Sequence, residues 1–189
     1  MDIEFKDCET QFFEHIVPME EYLRDCVDVP RFLGYCSHCS NFGKTWSCPE
    51  FSFDPRDYWK KFKSFKIIGM KVIVPKELRN KVYSKEESDA FILAFLDKYK
   101  KQFDEHIMQE EKKVGGVGLN GGSCLLCAPA PCSRQEGKPC RHPDKMRYSI
   151  ESLGGDVSLS VTKYLHQKLE WIKDGKLPGH FILVGGVLM

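Results

Sequence analysis

The chain has no long hydrophobic run. No stretch approaches the roughly 20 consecutive apolar residues that span a bilayer, which excludes a membrane-spanning helix. The opening residues, MDIEFKDCETQFFEHI, lack the basic start, apolar run and small-residue cleavage site of a secretory leader. The expected compartment is the cytoplasm. Charge of one sign is also scarce in excess: 28 Lys and Arg stand against 27 Asp and Glu, a formal charge of +1. No net field draws the protein to nucleic acid or to an acidic surface, so neither nucleic acid nor membrane is expected as a partner. The 189 residues, 42% of them apolar, suit a single domain over 1–189 whose core needs no covalent staples.

Cysteine, by contrast, is abundant. Seven of the nine fall in two clusters, Cys36, Cys39 and Cys48 in CSHCSNFGKTWSCPEF, and Cys124, Cys127, Cys132 and Cys140 in CLLCAPAPCSRQEGKPCRH. Disulfides persist in oxidising compartments, whereas clustered cysteines in a reducing one bind metal or do redox chemistry. The odd total also fits pairing poorly. Cys8 and Cys26 stand outside both clusters.

Periodicity supplies the scaffold. The β-branched run from Phe65 to Val74, stopped by Pro75, predicts a buried strand central in a sheet. Ser84-Lys85-Glu86-Glu87 has the form of a capping box, after which Phe91, Phe95, Tyr99, Phe103 and Ile107 recur every four residues, predicting a long amphipathic helix from Lys85 to Lys113. The glycine-rich segment 115–122 predicts a short strand or tight turn delivering the second cysteine cluster. Met146 to Leu153 reads as a short helix, Ser160 to Lys173 as a longer one, and Phe181 to Val184 as a last strand. PEFSFDPRDYWKKFKSF reads as a turn and a short helix whose Lys60, Lys61, Lys63 and Lys66 form a solvated face. The expected fold is a two-layer α/β or α+β domain, a small sheet packed against helices with the cysteine-rich loops on one side.

The second cluster, Cys-x2-Cys-x4-Cys-x7-Cys, offers four soft ligands, which select zinc, copper(I) or iron–sulfur clusters. Structural zinc usually takes two short-spaced pairs, and here the second pair is missing. Single cysteines at steps of five and eight suit a loop winding around something larger than one ion, such as an iron–sulfur cubane. Arg134, Lys138, Arg141 and His142 place positive charge beside it. The first cluster, Cys-x2-Cys-x8-Cys-Pro, supplies only three thiolates. Its fourth ligand could be Cys26, His38, His15, a residue from elsewhere in the fold or an exogenous molecule, although Cys26 at an apparent helix end also reads as a buried inert thiol.

Other motifs carry less. Gly116-x-Gly118-x-x-Gly121 spells a dinucleotide fingerprint but follows a helix instead of a strand. Cys140-Arg141-His142 as nucleophile and base would need sequence neighbours to face each other. Neither Cys-x2-Cys sits as a redox dithiol does, alone at the head of a helix. His106 with Glu110, and His166, Gln167 and Glu170, read as exposed polar helix faces.

The combination Cys36-x2-Cys39-x2-Phe42-Gly43-x2-Trp46-x-Cys48-Pro49, Cys124-x2-Cys127-x4-Cys132-x7-Cys140-Arg141-His142-Pro143 and Met146-Arg147-x-Ser149-x-Glu151-x-x-Gly154-x-Asp156-Val157 resembles a prokaryotic family of predicted metal-binding proteins of unknown function. The resemblance covers about residues 30 to 160. It implies a metal site with Cys36, Cys39, Cys48, Cys124, Cys127, Cys132 and Cys140 as ligands, and brings no established reaction. This chain departs from it at Glu50, where the family commonly has a second proline, and in its lysine-rich linker. Such proteins look typical of anaerobes, which favours iron over zinc. Three function classes follow. The leading one is an iron–sulfur protein with one or two 4Fe-4S clusters in redox metabolism, working with a redox protein partner or a small-molecule substrate. The others are a zinc-stabilised binding module and an enzyme using an open metal site at the three-cysteine cluster.

Overall fold

The computed structural model describes residues 8–189; residues 1–7, the start of the segment read for a leader, lie outside them. Four strands, β1 (Thr10–Pro18), β2 (Ser64–Ile73), β3 (Val117–Leu119) and β4 (His180–Leu188), form one antiparallel sheet in the order β1-β2-β4-β3. With its helices this is an α+β fold. β2 is central, as its apolar run predicts. Side chains alternate across a strand, so Phe65 and Ile67 enter one hydrophobic cluster while Ile68, Met70 and Val72 enter another.

Both faces of β2 therefore need cover, and the expected two layers become three. One face takes the long helix: α5 (Lys85–Phe95), a π-helical turn (Leu96–Lys100) and α6 (Lys101–Val114). The capping box forms as predicted, with the Glu87 N–H donating to Ser84 Oγ (3.2 Å) and the Ser84 N–H to Glu87 Oε2 (2.8 Å). The helix ends on Gly115, whose φ of 70° is the left-handed cap that glycine adopts without strain. The opposite face takes α1 (Met19–Asp25) and α7 (Val157–Tyr164), both packed on β1 and β2. α3 (Pro55–Trp59), capped by Asp54, inserts Trp59 into the same cluster, where its indole N–H donates to Leu153 O at 2.9 Å. α2 (Val29–Cys36) and the short α4 (Lys76–Arg79) complete the helices. No helix among the described residues is long and apolar enough to cross a membrane.

Several expectations need correction. The helix expected over 160–173 spans Val157–Tyr164 and stops before His166, which has φ 51°. Beyond it Leu169 packs on one core cluster and Ile172 on the other, which a single helical stripe could not do. The helix expected over 146–153 is only a 3-10 turn, Glu151–Leu153. There the Ser149 and Ser152 hydroxyls bond nearby backbone groups, competing with helix formation, and Asn120 pairs with Ser149 in an isolated bridge. Finally, Lys66 does not belong to a solvated face. It lies on the side of β2 that α6 covers, between Glu110 (2.9 Å) and Glu14 (2.8 Å).

Glu110, read as part of an exposed face, is buried and carries the ion pairs to Lys113 (2.5 Å) and Lys66. Lys113 first, then Lys66, holds its carboxyl at about 2, below the ordinary 4.5. A carboxylate depressed in the folded state stabilises it above the unfolded pKa, and that contribution is lost as pH falls through the folded value. Glu110→Gln is therefore expected to lower the melting temperature at pH 7, with the gap to the parent protein closing as pH drops from 4.5 toward 2; thermal unfolding across pH checks it.

Candidate metal centre

The first cysteine motif begins on a helix end. Asp28 caps α2, accepting from the Arg31 N–H (3.2 Å), and Pro30 fits the first turn, so the helix delivers Cys36 as its last residue. The chain then winds tightly, with the Cys39 N–H bonding Cys36 O (2.9 Å), Phe42 N–H bonding Cys39 O (3.1 Å) and Gly43 N–H closing back on Pro49 O (2.6 Å). Burial pushes the Cys36 thiol up, and the neighbouring Cys48 and Cys39 sulfurs and the Glu151 carboxylate add to it.

The second motif is organised by its own backbone. A turn bonds Ala128 N–H to Leu125 O (3.0 Å), with Cys127 inside it and Cys124 directly before it. Cys132 heads the 3-10 turn Ser133–Glu136, and the buried Ser133 hydroxyl donates to Pro139 O (2.7 Å) while Arg141 donates to Pro131 O (3.0 Å), tying the Cys132 and Cys140 ends together. Two sulfurs accept backbone N–H groups two residues on, Cys140 from His142 (3.4 Å) and Cys124 from Leu126. Burial raises the Cys124 thiol; the Leu126 bond and the Lys100 ammonium oppose this, and Cys140 and Cys127 reinforce it. Neighbouring sulfurs resist becoming thiolates together unless positive charge joins them.

The two motifs, far apart in sequence, clasp each other. Ser47, 1% exposed, lies 3.8 Å from Cys48 Sγ and accepts from the Cys124 N–H at 3.1 Å. Arg134 donates to Thr45 O (2.8 Å), Cys48 O (2.5 Å) and Glu50 O (2.5 Å), and its guanidinium lies over the Trp46 ring. Trp46 in turn donates its indole N–H to Lys138 O (3.1 Å), and Asn41 donates to Ser123 Oγ (3.2 Å).

Behind the loops lies a buried polar group that the cysteine spacing did not reveal. Lys100, 4% exposed, pairs with Asp104 at 2.5 Å. It is also close enough to act on Cys124 and on Glu151, whose carboxyl is pushed up by burial. The signal that could have found Glu151 is its place inside the third quoted motif. Of the candidate fourth ligands, Cys26 sits in the hydrophobic core, where burial lifts its thiol to about 11. His15 stacks on Tyr164, and His38 Nδ1 lies 2.9 Å from Gly34 O.

No disulfide joins any of the nine cysteines. Among the described residues no three His, Cys, Asp or Glu side chains are gathered closely enough to hold a metal ion. The donor chemistry nevertheless fits a thiophilic metal. All seven motif cysteines reach the surface at least in part, and the backbone N–H bonds to Cys124 and Cys140 are of the kind that stabilise metal-bound thiolates.

A family model described as "Predicted metal-binding protein (DUF2284)" matches residues 24–189, which takes in both cysteine motifs and leaves out β1 and Cys8. No curated protein and no solved structure matches the chain.

The Arg134 clasp makes one direct prediction. A hydrogen bond from a charged donor contributes about 1.5–3 kcal/mol, and Arg134 makes three of them. Arg134→Ala should speed hydrogen exchange in the segment 45–50 at least ~10-fold while leaving the amides of β2 unchanged, as mass spectrometry of exchanged peptides can check.

Proposed function

Because the chain belongs to the DUF2284 family of predicted metal-binding proteins, we propose that it is an iron–sulfur protein of a reducing compartment. In this reading Cys124, Cys127, Cys132 and Cys140 hold a closed centre, and Cys36, Cys39 and Cys48 hold one side of an open centre. The observation that carries the proposal is the pairing of two all-sulfur donor sets in loops locked together by Ser47 and Arg134. An iron–sulfur cluster, when bound, supplies a one-electron couple whose potential depends on its hydrogen bonds and surrounding charge.

The protein's own groups tune that couple. The Leu126 and His142 N–H groups bond sulfur on the second motif, and the buried Lys100 ammonium lies near Cys124. Each stabilises negative charge on the thiolates and so favours the reduced state. Arg134 spends its charge on backbone carbonyls, which keeps the Cys48 loop against the second motif. Its geometry suits delivery of electrons to a protein partner or to a small molecule at the open centre.

Anaerobic purification tests this. The expected protein is brown, with broad visible absorption and stoichiometric iron and acid-labile sulfide. Cys124→Ser and Cys36→Ser should each remove about half of the iron, the share of one of two clusters. A colourless protein with stoichiometric zinc would instead assign the cysteines to a structural module.

A further inference from the structure

The three-cysteine motif supplies only three thiolates, and the chain that runs beside α2 offers a candidate for a fourth ligand. Gly154, with φ 82°, lies so close to the first residue of α2 that an added Cβ would come within 2.7 Å of Val29 Cα, and the Asp28 N–H donates to Gly154 O at 2.9 Å. Farther along the helix, Ser152 and Leu33 line the same cavity of about 350 Å³. The 3-10 turn that opens on Glu151 packs along α2, which ends on Cys36; burial first, then the Cys48 and Cys39 sulfurs and the Glu151 carboxylate push the Cys36 thiol up.

Although Glu151 as a residue keeps some surface, its Oε2 is fully buried and has no hydrogen-bond partner. The carboxylate's other bonds are to its own backbone N–H and to Ser149. A buried carboxylate oxygen without a partner is costly and calls for an explanation, of which a bound cation is one.

We propose that Glu151, through Oε2, completes the ligand set of the Cys36, Cys39 and Cys48 centre. This deepens the metal-binding reading of that motif and rests on it. A carboxylate oxygen is a harder, less tightly held donor to a thiophilic metal than a fourth thiolate. The two centres then differ in kind: four sulfurs at Cys124, Cys127, Cys132 and Cys140, three sulfurs and one displaceable oxygen here. That displaceable position is where a small molecule with a soft donor atom would enter.

The test uses the full chain loaded anaerobically with cobalt(II), whose thiolate charge-transfer band reports release to a competing chelator. Cys36→Ser identifies the phase of release that belongs to the first centre. Glu151→Gln should speed that phase alone by about 10–100-fold, and Glu151→Cys should restore slow release and strengthen the band by one thiolate. Unchanged release in a folded Glu151→Gln variant overturns the proposal. If that variant does not fold, Glu151→Cys decides, and an unchanged band there overturns it. Failure of the wild-type chain to take cobalt at the first motif is a different result, which removes the metal-binding reading of the motif along with Glu151.

Discussion

The double-sided burial of β2 is the constraint on which the rest of the architecture depends. With Phe65 and Ile67 on one face and Ile68, Met70 and Val72 on the other, all at most 1% exposed, neither side of the central strand can face water. The long helix through α5 and α6 satisfies one face. The other is covered by a patchwork of short helices and turns, which includes α3 and the 3-10 turn at Glu151. The long helix brings Lys100 toward the cysteine loops from one side, and the patchwork brings Glu151 from the other, so covering the sheet also assembles the surroundings of the candidate centre.

The π-helical turn shows how packing and site are coupled. Four residues of an α-helix advance about 40° beyond a full turn, so side chains repeated every four residues drift away from one face. Phe91, Phe95, Tyr99, Phe103 and Ile107 nevertheless all remain buried. The wider turn over Leu96–Lys100 takes up the drift, and it buries Tyr99 and Lys100 side by side. A strict four-residue repeat over that length is thus a readable sign of a π turn, and π turns often accompany functional sites. Here the turn delivers Lys100, whose ammonium acts on Cys124.

Much of the scaffold was legible because it follows from local rules: the apolar run of β2, the capping box at Ser84 and the short helix in PEFSFDPRDYWKKFKSF. β1 was not, since it is a mostly exposed edge strand whose burial pattern carries little alternation. The chain after Tyr164 misled because Leu169 and Ile172 are spaced as one helical face but serve two different cores. At the site, sulfur positions are visible in spacing alone. Glu151 is legible only as part of a quoted motif, and Ser47, Lys100 and the carbonyl partners of Arg134 come to the site through tertiary proximity, across separations that no local pattern encodes.

The Ser47 hydroxyl, placed between Cys48 and the Cys124 amide, has a thermodynamic consequence. Loops that share hydrogen bonds share their conformational entropy, so any order that a ligand imposes on one loop need not be imposed again by a ligand on the other. Linkage then makes the effect reciprocal: whatever factor the first occupied motif adds to the affinity of the second, the second returns to the first. Were metal to fill both motifs, each would favour the filling of the other.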